Sequence, residues 1–450
     1  MSNILIFNHS EIIERNQYKN ICYTEGLIKA FLIRGHKVSN IITNNYLYDP
    51  WCGLNILKTD VNYKKLLKKI KDFNPDLIIS FNNSKLSNIE KELECPILIW
   101  EADKFYYFSD QFNLKINSSR YFFISSSLDG RGQFIKYFGA KKEKVFFMPH
   151  STSIQSKVTK QDKNISFLGK LYDMPRTKDK NFSKIKLNAL YRKKILSSIK
   201  DIGLKIFTNQ VPSFYYELRH LCDESMLHYS ILHNEKIFNS SKISLNISHL
   251  QAQDNTVSYR AIDIMASNSL LITENSKYLE FFSKKLSRIF YNTPFDLKKK
   301  VRYFLKNPNA RKDMINIQNE ITKKNFLWID RVKNIEQLFG LKKDTIDSTS
   351  TKAYLNVVNQ SNKIYQSTSE KQTDLLITVI CFILMKSKLL RNFFLSVGLL
   401  FFINIKIFFI NIKTKVLSTG KKYTFYYYLY IVMININFKL KEIKKKINKH

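Results

Sequence analysis

The chain is poor both in residues that break regular structure and in residues that clamp it. Of 450 residues only 11 are glycine, 8 proline, 5 cysteine and 3 tryptophan. So little glycine, beside abundant Lys, Asn, Ile and Phe, also follows from an AT-rich genome. The cysteines, at positions 22, 52, 95, 222 and 381, are scattered and odd in number, with no Cys-x-x-Cys pair. That excludes a disulfide framework and a structural zinc site, and it fits a reducing compartment. Acidic residues are scarce too: 37 Asp and Glu against 73 Lys and Arg give a formal charge of +36. Such an excess calls for an anionic partner, whether a membrane surface, a phosphorylated ligand or nucleic acid. There is no GxxxxGK[ST] loop, HExxH, EF-hand loop or GxSxG, which removes the usual ATPase, zinc-protease, calcium and serine-hydrolase readings. The opening MSNILIFNHS has no basic segment before its apolar run and reads as a first strand, not a signal peptide.

What is present is alternation. Strand-like runs recur at Ile4–Phe7, Lys37–Thr43, Asp76–Ser80, Pro96–Trp100, Tyr121–Ser125 and Lys144–Met148. Helical patterns fall between them, one through Tyr23, Leu27, Phe31 and Leu32 ending at Gly35, another at Tyr63–Phe73. A second series has strands at Ile165–Leu168, Leu204–Thr208, Lys242–Ile247 and Leu270–Glu274. Its helices are expected at Leu190–Lys200, Asn234–Ser240, Asp296–Leu305 and Arg311–Phe339, the last broken near Leu327. Strands alternating with helices predict parallel sheets with right-handed crossovers. The polar interval around Pro149, Ser151, Thr152 and Ser153 reads as a linker. The expected fold is therefore α/β, with two Rossmann-like domains, residues 1–155 and 160–340, facing a cleft.

Beyond residue 341 the composition changes. Residues 341–373 are rich in Ser, Thr, Asn and Gln and read as a polar linker. Residues 374–450 mix apolar runs with lysines and hold only two acids, Asp374 and Glu442. No run reaches the roughly 18–20 apolar residues of a spanning helix. The expectation is a basic, apolar helical extension lying on an anionic membrane surface; the alternative is a third helical subdomain packed on the core.

Ser241–Phe282 is the richest segment: a strand, a polar loop, Arg260 followed three residues later by Asp263, and a second strand ending in Glu274. In open α/β sheets ligands bind beyond the carboxyl ends of the strands, where the next helix begins. Arg260 can neutralise a diphosphate with its planar fork, and Asp263, one turn on, can accept hydrogen bonds from a ribose diol. The alternative is an exposed ion pair on an ordinary surface helix.

Ser258, Arg260, Ile262, Asp263, Ala266, Leu270–Thr273, Leu279 and Phe282 resemble the donor-binding domain of the CgeB-like, spore-maturation-type glycosyltransferases of the GT-B superfamily. Asp263 stands where Glu is usual, Ser267-Asn268 where Cys-Gly is common, and Asn255 where many relatives carry a second acid. The similarity continues through Tyr303-Phe304-Leu305 and Asn307-Pro308-Asn309-Ala310-Arg311 to Trp328–Arg331. The resemblance implies a metal-independent transferase that uses a nucleotide-diphosphate sugar as substrate and needs no cofactor. Its acceptor would be a glycan or lipid-linked glycan, in surface-polysaccharide synthesis at the cytoplasmic face of a membrane, with no nucleic-acid partner.

In that frame the donor-binding candidates are Gly169, Lys170, His249, Ser258, Arg260, Asp263 and Glu274. Gly169 would allow close backbone approach to the donor, Lys170 would meet phosphate, and His249 follows a strand beside Arg260. Asp103 or Glu101, after the strand ending at Trp100, is the expected base for an acceptor hydroxyl; the other reading of Asp103 is a helix N-cap. His9, after the first strand, is a further candidate base or a solvated loop residue. No Asp-x-Asp occurs in a metal-binding context, so no metal site is expected. The competing function is a non-catalytic basic protein that binds a membrane or nucleic acid on a decayed transferase fold.

Overall fold

The computed structural model describes residues 1–8, 11–14, 17–20, 22–43, 47–48, 56–57, 60–82, 84–86, 89–101, 119–174, 182–224, 231–248 and 255–342. All lie within one compact unit, Met1–Thr351. The expected tail at 374–450 and nearly all of the expected linker at 341–373 fall outside the described residues.

The first half runs β1 (Asn3–Asn8), β2 (Glu11–Glu14), β3 (Gln17–Asn20), α1 (Cys22–Ile33), β4 (Lys37–Ile42), β5 (Leu47–Tyr48) and β6 (Ile56–Leu57). It continues through α2 (Asp60–Phe73), β7 (Leu77–Phe81), α3 (Ile89–Glu92), β8 (Ile97–Trp100), β9 (Tyr121–Ser125), α4 (Gly130–Phe138) and β10 (Val145–Phe147). Six of these strands form one sheet in the order β10-β9-β8-β7-β1-β4, every pair parallel. β7 and β8 are buried along their whole length, which is why they read as unbroken apolar runs. Gly35 closes the turn after α1 at φ 87°, as its position at the end of the pattern predicts. The antiparallel hairpin β2–β3 between β1 and α1 has no counterpart among the expected elements. Its strands are four residues long, too short to show a period of two.

The second half runs β11 (Lys163–Leu168), α5 (Phe182–Ser198), β12 (Leu204–Phe207), β13 (Cys222–Asp223), α6 (Ile231–Asn239), β14 (Ser241–Asn246), α7 (Tyr259–Met265) and β15 (Leu270–Glu274). Then come α8 (Lys277–Phe282), β16 (Phe290–Tyr291), α9 (Pro294–Lys306), α10 (Pro308–Asn325) and α11 (Trp328–Phe339). Its sheet is also wholly parallel, in the order β13-β12-β11-β14-β15-β16. That is the 3-2-1-4-5-6 order of a doubly wound dinucleotide-type fold, and the order reverses between β11 and β14. Two parallel sheets, each with its own buried apolar core, make this the two-Rossmann-like-domain architecture.

The last described helix returns to the first domain. α11 packs along α1, with Arg34 Nε donating to Glu336 Oε1 at 2.9 Å and His36 Nε2 3.0 Å from the same oxygen. Burial raises the Glu336 carboxyl, but the bonds from Arg34 and His36 outweigh it and hold it below its ordinary range. Phe339 meets Phe122 edge-on at 4.9 Å, and Lys342 N donates to Ser2 Oγ at 3.0 Å. Among the described residues no helix is long and apolar enough to cross a membrane.

Candidate functional site

The site is assembled at the reversal point of the second sheet. Ser258 caps α7: its Oγ accepts from Ala261 N at 3.4 Å and donates to Asn246 Oδ1 at 2.7 Å. The start of α7 is thereby tied to the end of β14. Asn246 Nδ2 in turn donates to Ser248 Oγ and to Thr273 Oγ1, both at 3.0 Å. Arg260, in the first turn, extends over Gly169 just past β11. A methyl group on Gly169 would stand 2.7 Å from Arg260 Nη2 and 2.9 Å from Cζ. The guanidinium carbon also lies 5.4 Å from the centre of the Phe167 ring, a cation–π distance. Gly169 and Arg260 are therefore brought together, with the glycine making room for the arginine. Lys170 follows with its side chain exposed, its ammonium 5.9 Å from the Tyr172 ring.

The two acids of the segment are buried beneath this surface. Asp263 accepts from Thr152 Oγ1 at 2.6 Å through Oδ1 and from Asn234 Nδ2 at 3.1 Å through Oδ2. Burial pushes its carboxyl up to about 6, against the lowering effect of Thr152, Asn234 and Arg260. Both oxygens keep acceptor capacity, since a carboxylate offers about four lone-pair sites. Thr152 also takes a main-chain role, donating its N–H to Phe326 O at 2.8 Å, so the segment read as a linker is pinned on both sides. Glu274, closing β15, accepts the Ser248 N–H with both oxygens, at 3.0 and 3.2 Å, and burial raises its carboxyl. It orders the chain after β14, from which His249 follows; His249 itself lies outside the described residues.

On the first domain, Glu101 follows β8 and is 4% exposed. Ser125 Oγ donates to it at 2.6 Å and Ser127 Oγ at 3.2 Å. Burial pushes its carboxyl up to about 7, with the two serines acting in the opposite direction. A buried carboxyl that ionises near neutrality is suited to accepting a proton. Asp103 and His9 lie outside the described residues. The same loop that holds Glu101 touches the second domain: Leu128 N donates to Asn255 O at 2.8 Å and Thr256 Oγ1 to Ser126 O at 3.5 Å.

Behind these contacts the domains share an aromatic seam. Tyr259 stacks on Tyr23 at 4.8 Å and lies tilted 3.9 Å from the His150 ring, and Trp328 lies 5.4 Å from Trp100. Burial, with Arg331 close by, pulls His150 down to about 3, so its ring is neutral. Sequence reasoning missed Thr152 and Asn234 as partners of Asp263, because they lie 111 and 29 residues away along the chain. It also missed Arg192, whose Nη2 donates to Ile247 O at 2.9 Å and whose Nη1 donates to Lys170 O. Among the described residues no cluster of three or more His, Cys, Asp or Glu side chains is arranged to hold a metal.

Residues 205–337 match the family model described as glycosyl transferase-like. That stretch contains Ser258, Arg260, Asp263 and Glu274. No curated protein matches the chain. Solved structures similar to it include T4 phage BGT in complex with UDP and Mn2+, at 14% identity over 74% of this chain and 99% of that one, with a TM-score of 0.46. A second is the Anabaena protein HepE in complex with UDP and glucose, at 9% identity over 76% and 100%, TM-score 0.49. A third is sucrose-phosphate synthase from Thermosynechococcus elongatus, at 11% identity over 75% and 99%, TM-score 0.49.

Proposed function

We propose that the chain is a GT-B glycosyltransferase of the CgeB-like type that moves a sugar from a nucleotide-diphosphate donor to a glycan or lipid-linked acceptor. The observation that carries this reading is the seating of Arg260 on Gly169 at the reversal point between β11 and β14. A cation held at that position in a doubly wound sheet suits a diphosphate. The glycosyl transferase-like match over residues 205–337 supports it further.

In this reading the acceptor hydroxyl oxygen attacks the anomeric carbon and its proton passes to Glu101 or Asp103. The bond from that carbon to the β-phosphate oxygen breaks, and the nucleoside diphosphate leaves. Arg260 and Lys170 counter the charge that develops on the leaving group. Asp263 directs its remaining acceptor capacity toward the ribose. Metal-independent chemistry, surface-polysaccharide synthesis and action at the cytoplasmic face of a membrane belong to the same proposal.

The test is a thermal-shift or calorimetric screen of the full chain against UDP, GDP, CMP and their sugars. Stabilisation by one nucleotide, lost in Arg260→Ala and Asp263→Ala, is the expected result, and turnover by Arg260→Ala at the wild-type rate would sink the assignment. A second reading, a non-catalytic binder of an anionic membrane or nucleic acid, draws on Asn255 in place of a second acid and on the engagement of Asp263 by Thr152 and Asn234. A folded chain that no nucleotide stabilises would favour it.

A further inference from the structure

One buried charge has no part in the chemistry above. Arg192 sits on α5 at helical spacing with Ala189, Ile195 and Leu196, and with Ile199 just past the helix end, all buried, so it occupies the face that packs on the sheet. An arginine is rarely found in such a place unless its donors are engaged, and this one is only 3% exposed. Its fork spans two main-chain carbonyls, Nη1 donating to Lys170 O and Nη2 to Ile247 O at 2.9 Å. Those oxygens lie just beyond β11 and β14, the adjacent strands between which the sheet order reverses. The guanidinium carbon is 4.6 Å from the Tyr172 ring centre and 5.5 Å from that of Phe167, the ring that also carries Arg260. Glu274, which holds the Ser248 N–H, interacts electrostatically with the same guanidinium.

We propose that Arg192 is a positioning residue for the donor site, a staple that fixes the separation of the chain segments after β11 and β14 and so keeps Gly169, Lys170 and Arg260 in one geometry toward a nucleoside diphosphate. The inference rests on the donor reading of this site. Two carbonyls on different strands need two donors at a set angle, which a guanidinium supplies and an ammonium does not. Turning both carbonyls inward also removes two partial negative charges from the surface that would face phosphate oxygens. Arg192 is thus expected to govern the affinity for the phosphates and not for the nucleoside.

The experiment is calorimetric titration of the full chain with UDP, GDP, ADP and dTDP and with the matching nucleosides, for wild type and Arg192→Lys, with thermal unfolding as a check on the fold. Arg192→Lys is expected to weaken the preferred diphosphate by about tenfold to a hundredfold, the scale of an ångström-sized misplacement, and to leave the nucleoside unchanged. Should that variant not fold, Tyr172→Leu removes the ring beside the guanidinium while leaving both hydrogen-bond acceptors in place, and a smaller loss of the same kind is expected. Wild-type diphosphate affinity in the variants, or equal losses for diphosphate and nucleoside, overturns the positioning role. A wild-type chain that binds none of the four diphosphates overturns instead the donor reading beneath it.

Discussion

Arg260 lies against the α-carbon of Gly169, so closely that a single added methyl group would stand 2.7 Å from its Nη2. The glycine serves approach and not backbone conformation, because its φ is not in the left-handed region. Gly169→Ala is therefore expected to move the flexible end of Arg260 and leave the fold intact. The methyl also comes within 3.1 Å of the buried Phe167 ring, so stability should fall by about 1–2 kcal/mol, while affinity for the stabilising nucleotide falls about tenfold or more. Thermal unfolding and calorimetry on the same sample check both halves.

Glu101 yields a prediction in pH. Its carboxyl is raised from 4.5 to about 7 by burial, so the folded state holds the proton more tightly than the unfolded chain. The stability linked to this group is fully present below about 4.5 and is lost as pH rises through 7. The size of that loss is about 3 kcal/mol. Denaturant unfolding between pH 4 and pH 8 should show this slope in wild type relative to Glu101→Gln, whose amide does not titrate. If Glu101 is the base, transfer rate should rise over the same interval, since only the carboxylate accepts a proton.

Gly26 and Gly132 form a matched pair. Both are helical, but a methyl group on Gly26 would stand 2.4 Å from Trp328 Nε1, whereas one on Gly132 meets nothing within 4 Å. Gly132→Ala should stabilise by up to about 1 kcal/mol through helix propensity. Gly26→Ala gains the same propensity yet should destabilise by about 1–3 kcal/mol, because the buried indole has to shift. Equal unfolding midpoints for the two variants would contradict the packing of Trp328 on α1.

Much of the fold was legible because its central strands, among them β7, β8 and β15, are buried on both faces and helices separate them. Tyr121–Ser125 and Leu270–Glu274 carry the bounds that their apolar runs predict, and the break near Leu327 separates α10 from α11. The pairing of Gly169 with Arg260 was only half legible. The sequence places Gly169 just past a strand and Arg260 at the start of a helix, but their contact depends on which strands are neighbours. The engagement of Asp263 by Thr152 and Asn234 was not legible, since it joins three distant segments through side-chain hydrogen bonds that leave no periodic trace. Arg192 did leave one: it interrupts the apolar stripe Ala189, Ile195, Leu196 and Ile199 at helical spacing, and a charge on a core-facing stripe is a signal in its own right. The hairpin β2–β3 and the two-residue strands β13 and β16 carry too few residues to form a pattern.

The aromatic seam makes the chain its own optical probe. Of three tryptophans, Trp100 and Trp328 are both buried and 5.4 Å apart, with Trp328 also parallel to Tyr259 of the second domain at 6.4 Å. Any motion that parts the two sheets changes the polarity around the Trp328 indole and the coupling between neighbouring rings. Intrinsic emission therefore reads the relation of the domains directly, in the unlabelled protein and on the timescale of a stopped-flow trace.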